Sequence, residues 1–234
     1  MQDFKAQNII ESIKKIKHNI ELVCTKCNRN PDEITLLAAT KTVSPEYINV
    51  ALENGIRTIG ENRVQEYISK KDALNEHNFH FIGKLQTNKV KYIVGTAGLI
   101  HSVDNVKLAT EISKRAKRQN IVQEILLEVN VGEENSKSGI LVENFKEISQ
   151  EIFTIENLKI RGVMAIPPFY DEKDVKLRKN FSKIYDFLLD LQAKKSDNSI
   201  INIASFGMSH DYMTAIEYGA TIIRVGSAIF GERN

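Results

Sequence analysis

The chain has 234 residues, of which 42% are hydrophobic and 26% charged, an ordinary globular composition with enough apolar side chains for a sizeable core. Its 32 basic and 30 acidic residues leave a net charge of +2, too weak a field for a nucleic-acid-binding surface. No stretch approaches the ~18 uninterrupted apolar residues of a membrane span, and Met1-Gln2-Asp3-Phe4 does not open a signal peptide, so a cytoplasmic protein with no membrane partner is expected.

The first element is helical: Ile9, Ile13, Ile16, Ile20 and Val23 recur at spacings of three and four and lay one apolar stripe. The basic residues from Lys14 to Lys17, like those from Lys114 to Arg118, read as solvated helix faces. Cys24 and Cys27 form a lone C-x-x-C near the end of this helix, with no second ligand pair. Two thiols one helical turn apart explain it without a redox or metal role. The helix stops before Asn28 to Pro31, so residues 1–30 form a segment that precedes the rest.

Apolar, strand-like runs then follow at 34–40, 56–60, 79–83, 99–103, 122–131, 158–166, 200–205 and 221–225. Helical patterns separate them. The first is well punctuated, with Ser44 as N-cap, Pro45 at the first helical position and Gly55 just past the end. Another is expected from Ser209 as N-cap, with Asp211 in its first turn, to Gly219. Strands alternating with helices pair in parallel through right-handed crossovers. Eight such units predict an α/β chain built as one (β/α)8 TIM barrel over residues 1–234, with an extra N-terminal helix. A doubly wound sheet is the rival, but no G-x-G-x-x-G follows the first strand.

Active-site groups of such barrels stand at the carboxyl ends of the strands. Those ends supply Lys41, Glu61-Asn62, the 83–88 loop, His101-Ser102, Asn130, the 164–167 segment, the 205–209 loop and the 224–227 loop. Lys41 closes the apolar run ITLLAATKTV. There an ammonium is partly desolvated, which favours the neutral amine of a Schiff-base lysine; a snorkelling lysine explains the same placement equally well. The last two loops shift the balance. Ser205-Phe206-Gly207-Met208-Ser209 and Arg224-Val225-Gly226-Ser227 each offer glycine and hydroxyl groups, at the two strands whose loops bind phosphate in these barrels. A reactive lysine facing a phosphate cradle points to a phosphorylated aldehyde, with pyridoxal 5′-phosphate the economical choice.

From about Pro31 to Arg233 the chain also resembles the pyridoxal phosphate homeostasis proteins, the YggS/PROSC family, themselves similar to the barrel domain of bacterial alanine racemase. The matching motifs are LAATK ending at Lys41, Gly60-Glu61-Asn62 with Gln65-Glu66, HFIGKLQTNK from His80, IHSVDN from Ile100, ENSKSG from Glu134, RGVMAIP from Arg161, SFGMSHD from Ser205 and RVGSAIFGER from Arg224. The resemblance implies that Lys41 holds the cofactor as an imine, that Ser205, Gly226 and Ser227 contact its phosphate with Met208 and Ser209 nearby, that Arg224 faces the pyridine nitrogen and that Asn62 lines the ring. The family usually has proline in place of Lys84 and often threonine at Ser227. A monomeric carrier that buffers pyridoxal phosphate or delivers it to apo-enzymes is expected, without metal and, since an arginine at the pyridine nitrogen weakens the electron sink, without efficient catalysis. The alternative is an amino-acid racemase, which needs a second base; Tyr170 and Lys137 are the residues available for it.

Overall fold

The computed structural model describes residues 3–132, 138–171, 174–194 and 200–232. Helix α1 (Phe4–Lys26) begins where the Asp3 carboxylate accepts from the amides of Lys5 and Ala6 at 3.0 and 3.3 Å, satisfying donors that the helix itself cannot. Its stripe of Ile9, Ile13, Ile16, Ile20 and Val23 is buried, while Lys14, Lys15 and Lys17 are exposed.

The chain continues as β1 (Thr35–Ala39), α2 (Pro45–Glu53), β2 (Thr58–Glu61), α3 (Val64–Lys70), β3 (Asn78–Phe81), β4 (Leu99–Val103), α4 (Val106–Arg118), β5 (Gln123–Asn130), β6 (Ile140–Leu141), α5 (Phe145–Phe153), β7 (Leu158–Met164), α6 (Val175–Lys194), β8 (Ile203–Ser205), α7 (Tyr212–Glu217), β9 (Ile222–Val225) and α8 (Ser227–Phe230). Neighbouring strands run parallel in the order β4-β3-β2-β1-β9-β8-β7-β5, and a β4–β5 ladder closes the ring. This is a (β/α)8 barrel, and all eight expected strands are its staves. Because α8 has only four residues, the outer wall beside β9 and β1 needs another cover. Helix α1 provides it, packing against α2, α7 and α8.

Three local expectations are corrected. Strand β6 was not foreseen; its two residues pair with Val129 and Asn130 of β5, outside the ring. Between β3 and β4 no α-helix forms. A 3₁₀ helix, Thr87–Tyr92, takes its place, and the i,i+3 eclipsing of that geometry puts Val90 and Ile93 together in the core. Finally, α7 is capped at Asp211, not Ser209. The Asp211 carboxylate accepts from the Met208 amide, and Ser209 is drawn away by a tertiary contact described below. Ser44 and Pro45 do open α2, and Gly55 beyond its end takes φ of 85°.

Alternation along a strand sends every second side chain into the barrel. Low in the interior these are apolar, since Leu37, Leu99, Leu126, Met164 and Ile222 form a buried cluster with Ile82 and Ile203 against it. Two residues further along four of the strands the inward positions become polar: His101, Glu128, Ser205 and Arg224, all buried. On β1 the same step leads from Leu37 to Ala39 and then, past the strand end, to Lys41.

Candidate functional site

A cavity of about 300 Å³ opens above this polar layer, at the carboxyl ends of the strands, near the lower limit for small-ligand pockets. The half-buried Lys41 enters it from the end of β1, Asn62 from the end of β2, Lys84 from the loop after β3, Glu128 from β5, and Met208, Ser209, Arg224, Gly226 and Ser227 from the last two strands and their loops. Seven of the eight sequence-predicted residues therefore share one chamber. Gly83 sets one wall: a Cβ there would strike the Asn62 backbone, so glycine lets strands two and three bring Asn62 to the rim.

The two terminal loops meet through one hydroxyl. The backbone amides of Gly226 and Ala228 both donate to Ser209 Oγ, each at 3.2 Å. Two N–H groups thus converge on a single oxygen position beside the cavity. Gly207 makes this loop geometry accessible, since it sits at φ of 90° with the space its Cβ would need already held by Ala215.

Arg224 is anchored from below. Its Nη1 donates to the Ser205 carbonyl and hydroxyl, both at 2.7 Å, and Nη2 donates to the Ala165 carbonyl at 3.1 Å. Burial brings the guanidinium down to about 10, opposed by Glu128 and Asp211, so at neutral pH it remains a cation and a donor. Because Arg224 can only donate, the Ser205 hydroxyl that accepts from it turns its own hydrogen to His101 Nδ1, 3.0 Å away. His101 Nε2 then donates to His80 Nδ1 at 3.1 Å. The chain is satisfied when both imidazoles are neutral. Burial pulls His80 down to about 4, and burial, His80 and Arg224 together hold His101 well below its ordinary value.

Folded-state values below the unfolded one mean that this contribution is fully present above about pH 6.5 and is lost as pH falls toward 4. Each such histidine steepens acid destabilisation by up to about 1.4 kcal/mol per pH unit. In urea titrations between pH 6.5 and 4, His80→Gln is therefore expected to lose stability with a shallower slope than the wild type. Equal slopes would mean that His80 is charged in the folded state.

Ser205 is placed differently from its sequence reading. Its side chain is fully buried, engaged with Arg224 and His101, and does not line the cavity. His101 and Asn130 are likewise buried and do not line the chamber. Sequence reasoning missed Glu128, which lines the cavity and accepts from Ser138 Oγ at 2.7 Å. Burial raises this carboxyl, with Ser138, Arg224 and Lys84 acting against the shift. Inward alternation from Leu126 was the signal that could have found it. Tyr170 packs against the hydrophobic core and does not line the cavity; Lys137 lies outside the described residues. Cys24 is buried in the core, and burial pushes its thiol up, which disfavours a reactive thiolate. Among the described residues no helix is long and apolar enough to cross a membrane, and no His, Cys, Asp or Glu cluster suits a metal ion.

The sequence model of the alanine racemase N-terminal domain matches residues 12–234. A pyridoxal phosphate homeostasis protein of Aquifex aeolicus (strain VF5) is 43% identical over 228 residues, covering 97% of this chain and 99% of that protein. This chain belongs to the pyridoxal phosphate homeostasis protein family. Within the range of this family's fold lies PipY of Synechococcus elongatus PCC7942, solved with PLP bound. It matches with a TM-score of 0.80 and 29% identity, covering 95% of this chain and 100% of that one. An alanine racemase of Clostridium difficile 630 matches with a TM-score of 0.76 at 14% identity, covering 97% of this chain and 57% of the racemase, a likeness of fold alone.

Proposed function

We propose that this chain holds pyridoxal 5′-phosphate in the barrel cavity and serves its homeostasis as a monomeric carrier, buffering the cofactor or delivering it to apo-enzymes, without efficient turnover. The observation that carries this reading is the convergence of the Gly226 and Ala228 amides on one oxygen position beside a cavity that Lys41 also lines. Ser209 Oγ fills that position; an anionic phosphate oxygen is a stronger acceptor for the same two N–H groups. Asn62 adds a buried Oδ1 with no hydrogen-bond partner, a polar atom that a bound ligand would satisfy. The residues present fit the cofactor.

When bound, the cofactor would supply an electrophilic aldehyde carbon, and Lys41 would be the amine held to meet it. The chain's own residues do the rest. Ser209, Gly226 and Ser227, with Met208 beside them, would hold the phosphate end; Asn62 would border the ring; Arg224, fixed by Ser205 and Ala165, would donate toward the ring nitrogen. A guanidinium, which can only donate, would leave that nitrogen without a proton of its own. The ring would then be a weak electron sink, which favours holding over carbanion chemistry.

Purified protein mixed with pyridoxal phosphate is expected to gain visible imine absorbance that borohydride abolishes, leaving a mass label on the Lys41 peptide. A label elsewhere, or none, overturns the attachment. Robust turnover in a panel of amino acids overturns the carrier, and transfer to an apo-enzyme no faster than release into solution overturns delivery in favour of buffering.

A further inference from the structure

Lys41 stands on a turn that its own sequence disfavours. Thr42, next to it, takes φ of 65°, a left-handed conformation that is unusual for a β-branched residue and persists only where surrounding contacts over-determine it. Those contacts lead to one cation. The Thr42 amide donates to Glu66 Oε1, and the same oxygen accepts from Lys70 Nζ at 2.6 Å. Lys70 Nζ also donates to the Thr40 carbonyl and to Glu61 Oε1, both at 3.1 Å. Glu61 Oε1 accepts in addition from Thr40 Oγ1 at 2.8 Å.

An ammonium has three donors, and here they reach three oxygens that all bear on the residues flanking Lys41. The cluster is sheltered: the Lys70, Glu61 and Glu66 side chains are 12%, 1% and 17% exposed, so its charge-assisted bonds are little screened by solvent. Its placement follows from the barrel. Glu61 ends β2, while Glu66 and Lys70 lie one turn apart on α3, so the second βα unit grips the loop that leaves the first.

We infer that Lys70, acting through Glu66 and Glu61, is a positioning residue that locks the Thr40–Thr42 turn and so fixes the direction in which Lys41 presents its amine to a ligand aldehyde. This inference rests on the proposed binding of pyridoxal phosphate. It concerns the approach of one amine to one carbon, where small misplacements carry large rate effects. The phosphate end of the cavity is built by other strands and does not depend on it.

The test compares two ligands on the same variants. Pyridoxine 5′-phosphate has a hydroxymethyl group where pyridoxal phosphate has its aldehyde, so it reports the cavity without the covalent step. Lys70→Met is expected to slow imine formation with pyridoxal phosphate roughly tenfold to a hundredfold while pyridoxine 5′-phosphate affinity stays within about twofold, within measurement spread. Lys70→Arg is expected to keep part of the rate. Adding Thr42→Asn to Lys70→Met restores part of it as well, because asparagine enters the left-handed region more readily; a change in local charge alone would not be rescued in this way. Imine formation at the wild-type rate in a folded Lys70→Met protein overturns the inference, as does an equal loss of affinity for both ligands or the absence of any rescue by Thr42→Asn. Wild-type protein that binds pyridoxine 5′-phosphate but never forms an imine would instead refute the proposed function.

Discussion

Lys41→Ala is expected to bind pyridoxal phosphate at least tenfold more weakly than the wild type, a loss of about 1.4 kcal/mol or more, and to leave no borohydride-stable label. The substitution removes the amine proposed to bond the ligand covalently, while the amides of Gly226 and Ala228, the Ser227 hydroxyl and the Arg224 guanidinium stay in place. Residual binding is therefore expected, and pyridoxine 5′-phosphate affinity should change little. Lys41→Arg separates charge from chemistry, since a guanidinium keeps the cation but cannot condense with an aldehyde. Isothermal titration of both ligands to wild type and the two variants decides the matter. Equal pyridoxal phosphate affinity in wild type and Lys41→Ala would falsify the covalent attachment.

The barrel was legible because parallel strands covered on both faces are short continuous apolar runs, and 34–40, 99–103 and 158–166 are unmistakable in that sense. The rule that chemistry gathers at carboxyl ends then pointed, from strand order alone, to the rim where the cavity opens. Depth within the chamber was not legible. Ser205 and Ser209 stand four residues apart, yet the first is buried at the end of β8 against Arg224 and the second meets the amides of Gly226 and Ala228 at the start of α8. Only three-dimensional layering tells them apart. Ser209 was misread as a helix cap because S-x-D fits local capping chemistry, while its partners come from a loop 17 and 19 residues away.

The same limit hid Lys70. On α3 it reads as half of an ordinary i,i+4 pair with Glu66, and nothing local says that both side chains turn inward to residues 40 and 42. Glu128 was within reach, since alternation from Leu126 sends it into the barrel; attention to the last residue of the strand selected Asn130 in its place. Long-range polar contacts carry the positioning of this site, and they leave no periodic trace in the sequence.

Phe206→Ala is expected to cost about 3–5 kcal/mol, enough to lower Tm by on the order of 10 °C in a chain of this size. Phe206 is fully buried between Ser205 and Gly207, with its ring centroid 4.9 Å from that of Phe181 on α6, and Phe181 in turn lies 6.5 Å from Tyr218 at the end of α7. One aromatic contact therefore ties the loop after β8 to the outer helices. Its loss should act on the site as well as on the fold, because the residues on either side of Phe206 hold Arg224 and lead into Ser209. Ligand-induced stabilisation distinguishes the two effects: at a hundredfold excess over Kd a bound ligand adds about 2.7 kcal/mol, and a loop that has lost its anchor binds more weakly and gains less. The thermal shift produced by a fixed concentration of pyridoxine 5′-phosphate should thus be smaller in Phe206→Ala than in wild type, with Phe206→Leu between them. An undiminished shift in a destabilised Phe206→Ala protein would mean that the phosphate loop keeps its shape without this contact, and that Phe206 serves the core alone.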